Sequence, residues 1–383
     1  MNKRQPLLLS LLLSISITAC GGGGSDSSTA PNLPPPSEPT APPLQKETSY
    51  ENFKAIGLTP QWFPSEIRTD SIRAYGDFSG NGRIDLFTAT ITYMPTTNLE
   101  AATPSKFEFW LRQTDGSYRR DTQLLASSDG CIHPRKALVA DFNSDTRPDI
   151  FVACHGWDAP PFPGERNKVV LSQPNGTYAV MDASSDVGFF HGASAADLDN
   201  DGWIDVMVVD NFDPNRVFVL LNQHNGLFAR EPKQRLPTVI QSGSYFSVEL
   251  VDVDEDGRLD VVLGGHEWEG TPTRILINAS NDHDFTNVTP LTIPPIANEG
   301  VVLDFTLTGS DASRTLWVLR TSGGDGTFYQ SRTLQRVSWP SLQSTVVLNE
   351  RPKQWVMWTI PTHVDGKPVI ASDDARDALI VPQ

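Results

Sequence analysis

The stretch DLDNDGWID, residues 197–205, sets carboxylates at its first, third, fifth and ninth positions: Asp197, Asp199, Asp201 and Asp205. Like charges this close repel one another, and a folded chain keeps them together when a cation sits among them. Calcium suits the pattern, because it takes six to eight hard oxygen ligands and a short loop can curl to supply them. Three further stretches share the register: DFSGNGRID (77–85), DFNSDTRPD (141–149) and DVDEDGRLD (252–260). Side chains at positions one, three, five and nine would converge with the main-chain carbonyl at position seven. The candidate ligands are then Asp77, Ser79, Asn81 and Asp85 with the Arg83 carbonyl, and Asp141, Asn143, Asp145 and Asp149 with that of Arg147. The third loop offers its four aspartates with Trp203, and the fourth offers Asp252, Asp254, Asp256 and Asp260 with Arg258. Gly82, Gly202 and Gly257 at position six permit a sharp turn, and Thr146 stands there in the second loop. An EF-hand would need a bidentate Glu at position twelve, but Thr88, Val152, Val208 and Leu263 occupy it, inside strand-like runs. The competing reading is four acidic turns capped by their own side chains.

Strand-type runs position these loops. SIRAYG, KALVA, GASAA and SVELV precede them; LFTATITY, IFVACHG, VMVVD and VVLGG follow. Further runs such as KVVLSQPNGTYAV and RILINA complete about four strands in each repeat of roughly 55 residues, a period that points to propeller blades or a solenoid. The loops resemble those of the FG-GAP and VCBS repeats, known from the integrin α-subunit propeller, in which D-x-[DNS]-x-[DN]-G-x-x-D forms a calcium hairpin between the first two strands of a blade. The resemblance covers 66–291 and thins beyond. It implies an all-β fold: a β-propeller of four-stranded blades carrying up to four calcium ions. At the mean repeat, 48–383 holds about six blades, with 48–65 completing the last one; seven would need shorter repeats.

If the calcium loops join strands one and two, the ends before strand one and after strand two share the opposite face. His155 and Trp157 follow Asp149 by six and eight residues, and His266 and Trp268 follow Asp260 at the same offsets. Tyr93 and Phe212 occupy similar places, while His133, His191 and Tyr245 precede strand one. A ring of aromatic and polar side chains around a shallow pocket suits a sugar or a peptide; the alternative is packing between blades. A histidine-built metal centre would need His133, His155, His191 and His266 to converge, and no two have a close ligand spacing within one element. The proline-rich loop WDAPPFPGERN (157–167) presents Phe162, Glu165 and Arg166. Cys131 and Cys154 fall on the same face, and in an exported protein they form a disulfide unless they remain free and buried.

Export is suggested by residues 1–19: Lys3 and Arg4, an apolar run from Leu7 to Ile17, and ITAC ending at Cys20. This resembles the lipobox of bacterial lipoproteins, which implies acylation of Cys20 and a membrane partner through that anchor. Gly21 in place of an aspartate favours the outer membrane. Residues 20–47, rich in Gly, Ser and Pro, read as a tether, and 48–383 as the folded domain. With 30 basic against 46 acidic residues and a charge of −16, nucleic acid is excluded as a partner. No nucleophile signature occurs and no catalytic residue is assigned. The sequence therefore favours recognition of a protein or glycan at the cell envelope. An enzyme acting on polysaccharide or lipid and a structural assembly factor are the alternatives, and the oligomeric state is open.

Overall fold

The computed structural model describes residues 66–67, 71–93, 98–125, 127, 129–211, 216–351, 359–364 and 367–372. The expectations for residues 1–19, Cys20, the tether, the 48–65 closure and Phe212 lie outside them. Among the described residues no helix is long and apolar enough to cross a membrane.

Five four-stranded antiparallel sheets follow one another along the chain. The first is β1 (Ser71–Gly76), β2 (Asp85–Thr90), β3 (Phe107–Arg112) and β4 (Tyr118–Arg120); the second is β5 (Pro134–Ala140), β6 (Asp149–Cys154), β7 (Lys168–Ser172) and β8 (Tyr178–Asp182). The third is β9 (Phe190–Ala196), β10 (Asp205–Asp210), β11 (Val217–Asn222) and β12 (Phe228–Arg230); the fourth is β13 (Tyr245–Val251), β14 (Asp260–Gly265), β15 (Arg274–Leu276) and β16 (Leu291–Thr292). The fifth is β17 (Val301–Thr308), β18 (Thr315–Thr321), β19 (Arg332–Ser338) and β20 (Ser344–Glu350), and a hairpin of β21 (Thr359–Val364) and β22 (Lys367–Ser372) follows. Each first strand neighbours the next, from β1 through β5, β9, β13 and β17 to β21. The first strands therefore line a common axis and the sheets radiate from it as blades.

The blade number corrects the expectation of six or seven. Residues 71–350 hold five blades at about 56 residues each, so the repeat length was read correctly. Dividing all of 48–383 by that length over-counted, because the described chain beyond β20 contributes two strands rather than four.

Second strands lie between neighbouring blades and are covered on both faces, so β6, β10 and β14 are buried throughout. Their continuous apolar runs have this cause. Phe142, Phe151 and Phe228, for instance, pack edge to face between the second and third blades. Near the axis the first strands approach closely: a Cβ on Gly192 of β9 would stand 3.0 Å from the Ser247 Cα of β13. The axis itself is polar. Lys136 of β5 pairs with Glu249 of β13 and lies 3.5 Å from Asp304 of β17. Ser194 of β9 donates to the second Glu249 oxygen at 3.3 Å.

Candidate functional site

All four acidic loops are hairpins between the first and second strands of a blade, at one end of the propeller. Their geometry repeats. The position-one carboxylate accepts hydrogen bonds from the N–H groups of residues five and six: Asp77 from Asn81 and Gly82 at 2.8 and 2.7 Å, Asp141 from Asp145 and Thr146 at 3.0 and 2.8 Å. Asp197 does the same with Asp201 and Gly202 at 3.1 and 2.9 Å, and Asp252 with Asp256 and Gly257 at 3.2 and 3.0 Å. Positions four and six take positive φ in every loop, which suits glycine at six; Thr146 is held there at 71°.

The ninth aspartate opens the second strand, is buried, and ties the hairpin to the end of the third. Asp205 accepts the N–H groups of Leu198 and Asn222 at 2.9 and 2.8 Å, and Asp260 those of Val253 and Asn278 at 2.8 and 2.7 Å. Asp149 likewise takes Ser172 at 2.7 Å, and Asp85 takes Arg112 at 2.9 Å. The side chains at position seven serve the same attachment: Arg83, Arg147 and Arg258 donate to the Arg112, Gln173 and Asn278 carbonyls at 2.7, 3.0 and 2.9 Å. Trp203 instead stacks on His224.

In two hairpins the carboxylates converge. One oxygen each of Asp197, Asp199 and Asp205 lies within 4.8 Å of the others, and so do those of Asp252, Asp254 and Asp260. The fifth-position aspartates stand outside these trios: His224 donates to Asp201 at 2.6 Å, and Arg258 pairs with Asp256. At position three the first two hairpins have shorter or neutral groups turned inward. Ser79 donates to Asp85 at 2.7 Å, and Asn143 donates to the Ser172 carbonyl at 3.2 Å. Burial pushes Asp205 and Asp260 up to about 7, against their backbone hydrogen bonds and with help from neighbouring aspartates; Asp149 is pushed up to about 6 for the same main reason. Asp199 and Asp254 are raised by burial and then by Asp201 and Asp256. Oxygens so placed would gain most from a divalent cation, which reverses that repulsion.

Antiparallel pairing carries the ends before strand one and after strand two to the other end of the blades. There a row of rings crosses all five. Tyr93 meets Trp157 at 5.0 Å and stacks on His133 at 5.6 Å. His133 meets His155 at 4.8 Å, His155 meets His191 at 4.4 Å, and His191 meets His266 at 5.9 Å. His266 stacks on Trp268, which meets Phe328 at 5.1 Å. The four histidines thus converge across blades, on the face where the offsets place them. Burial first, then the Arg135 charge, pushes His155 down to about 3; burial holds His133 and His191 well below the usual range too. The rim is exposed at Phe162, Trp268, Phe328 and Tyr329 (38–42%).

Not every expected face residue is exposed at this end. Tyr245 packs in the core between the third and fourth blades, and Trp157 is buried against Tyr93. Its neighbour Phe246 is the residue that reaches the histidines, 4.5 Å from His191. The 157–167 loop is exposed at Phe162 and Arg166 as expected, while Glu165 fastens its end: it accepts the Ile132 N–H at 2.9 Å and pairs through its backbone with Gly188. Cys131 and Cys154 form a disulfide with a Cα separation of 6.0 Å. Arg135, Asp158, Phe246, Phe328 and Tyr329 were missed by sequence reasoning. Arg135 and Phe246 lie in β5 and β13 one residue before the runs KALVA and SVELV, and Phe328 and Tyr329 belong to a blade with no acidic loop from which to count offsets.

The family model for FG-GAP-like repeats matches residues 197–263, which span the third and fourth hairpins. No curated protein matches the chain. Among solved structures the chain is similar to Sqt1 from Saccharomyces cerevisiae, at 9% identity and a TM-score of 0.45 over 80% of this chain and 82% of that one. It is similar to a putative 6-phosphogluconolactonase from Bacteroides fragilis, at 9% identity and a TM-score of 0.48 over 88% and 90%. It is also similar to an exo-β-1,3-galactanase from Phanerochaete chrysosporium, at 8% identity and a TM-score of 0.37 over 83% and 62%. The matched repeat, the recurrence of its acid-bearing hairpin in four successive blades and the radial sheets together support an FG-GAP repeat β-propeller.

Proposed function

We propose that this chain is a calcium-binding propeller, lipid-anchored through Cys20 at the bacterial cell envelope, on the outer membrane, that recognises a protein or glycan partner with the face opposite its calcium hairpins. The observation that carries the calcium reading is the pair of carboxylate trios, Asp197/Asp199/Asp205 and Asp252/Asp254/Asp260. All-oxygen sets of this charge suit calcium better than a transition ion. The other two hairpins share the backbone geometry with fewer carboxylates and would bind more weakly. Recognition is supported by the exposed rings of Trp268, Phe328, Tyr329 and Phe162 around buried polar groups, an arrangement that stacks on sugar faces or on apolar peptide side chains.

Binding of calcium-loaded protein to glycan and peptide arrays tests the recognition reading. A class of ligand should be retained by the wild type and weakened on the order of tenfold or more in Trp268→Ala, since ring stacking contributes roughly 0.5–1.5 kcal/mol beyond area burial. Equal binding by Trp268→Ala and Phe328→Ala proteins would remove this face from the account. Acylation is checked separately, by the mass of the Cys20 peptide and by loss of membrane fractionation in Cys20→Ser.

A further inference from the structure

We propose that His133, His155 and Asp158 form a second kind of metal site, for a divalent transition ion such as Zn²⁺ or Cu²⁺, at the end of the propeller away from the calcium hairpins. One ring nitrogen of each histidine and one Asp158 oxygen lie within 4.8 Å of one another. Two imidazoles and a carboxylate are donors for zinc or copper, whereas calcium takes oxygens alone. Both histidines are buried and Asp158 is exposed, so the site has a covered side and an open one. The proposal stands apart from the calcium and recognition readings, since it uses neither the hairpins nor the exposed rim.

Three features hold the donors. The disulfide joins Cys131, two residues before His133, to Cys154, one before His155, and the His155 N–H donates to the His133 carbonyl at 2.9 Å. Tyr93 lies parallel to the His133 ring, within 3°, and its hydroxyl donates to the Asp158 carbonyl at 2.6 Å. Nδ1 of His155 faces the Gly156 carbonyl at 3.4 Å, which leaves Nε2 with the lone pair. An imidazole oriented through its other N–H is the usual state of a metal-bound histidine.

Arg135 is the group that opposes the ion. Its Nη1 lies 3.0 Å from His133 Nε2, and a guanidinium can only donate. Nε2 therefore accepts, and the ring proton sits on Nδ1, a buried N–H with no acceptor among the described residues. A metal ion would take the Nε2 lone pair in place of that hydrogen bond, with no change in the proton on Nδ1. The guanidinium already rests 4.6 Å over the Phe246 ring, a contact it can keep when it leaves His133. Arg135 thus weakens the site by competition and by charge.

The test titrates Cu²⁺ and Zn²⁺ into purified protein held in excess calcium, so that the hairpins are filled. One ion per chain should bind, and the Cu²⁺ electron paramagnetic resonance spectrum should show splitting from two nitrogens. His155→Ala should lower affinity on the order of a hundredfold and remove the two-nitrogen pattern, while Arg135→Met should raise affinity about tenfold through lost charge repulsion. Asp158→Asn, at an exposed position with little risk to folding, should lower affinity about tenfold. Absence of a one-equivalent site, a Cu²⁺ spectrum with oxygen ligands only, binding unchanged in both His155→Ala and Asp158→Asn, or weaker binding in Arg135→Met would each overturn the proposal.

Discussion

Thr146 shows what a single residue reveals about these hairpins. The other three carry glycine at position six with φ between 79° and 89°, and Thr146 adopts 71° because the Asp141 carboxylate holds its N–H at 2.8 Å. A β-branched residue in the left-handed region costs about 1–2 kcal/mol. Thr146→Gly should therefore stabilise the protein by roughly 1 kcal/mol, partly offset by the greater entropy of the unfolded glycine, and raise the melting temperature by a few degrees. A lower melting temperature would mean that the threonine methyl makes packing contacts worth more than the strain. At this scale the turn of each hairpin was legible in the sequence, because its internal hydrogen bonds join residues within nine positions; the attachment of positions seven and nine to the third strand was not. The histidine face was legible in part: offsets put His133, His155, His191 and His266 at one end of the blades but do not say which neighbours reach them. Tyr245 and Phe246 are adjacent, and alternation along β13 sends one into the core and the other to His191, a choice that offset counting cannot make.

Among the elements, the first two strands of each blade were the most readable. SIRAYG is β1 residue for residue, and IFVAC falls within β6, where a strand covered on both faces shows as an unbroken apolar run. The outer strands shrink to three residues in β15 and two in β16, and RILINA suggested more. An outermost strand has one neighbour and little apolar area to bury, so its sequence carries a weak signal. The end of β6 is held in a second way, by the disulfide to Cys131 across 23 residues. Closing a loop of that size contributes about 3 kcal/mol. Cys131→Ser should lower stability by roughly that amount, measured by denaturant unfolding; a loss well under 1 kcal/mol would assign the fastening to Glu165 and the backbone pairing instead.

For the molecule as a whole, closure depends on contacts that no repeat contains by itself. Lys136, Ser194, Glu249 and Asp304 come from four different blades and meet at the axis. Their convergence was not legible, because each lies some 55 residues from the next and only the ring brings them together. The blade number was misjudged for a related reason: repeat length is a local property, and the number of complete sheets is not. Lys136→Met would take the paired cation from buried Glu249 and should cost about 3–5 kcal/mol. A melting temperature unchanged by that substitution would show the axis to be solvated. Calcium filling the third and fourth hairpins and holding this ring is checked by calorimetric calcium titration of chelator-stripped protein, paired with melting curves. Two ions should bind tightest, one lost in Asp199→Asn and the other in Asp254→Asn, with magnesium a poor substitute. Each filled site at a hundredfold excess over its Kd should add about 2.7 kcal/mol to stability. A protein that binds no calcium and melts at one temperature with calcium or with chelator would contradict the account and leave the trios as self-capped acidic turns.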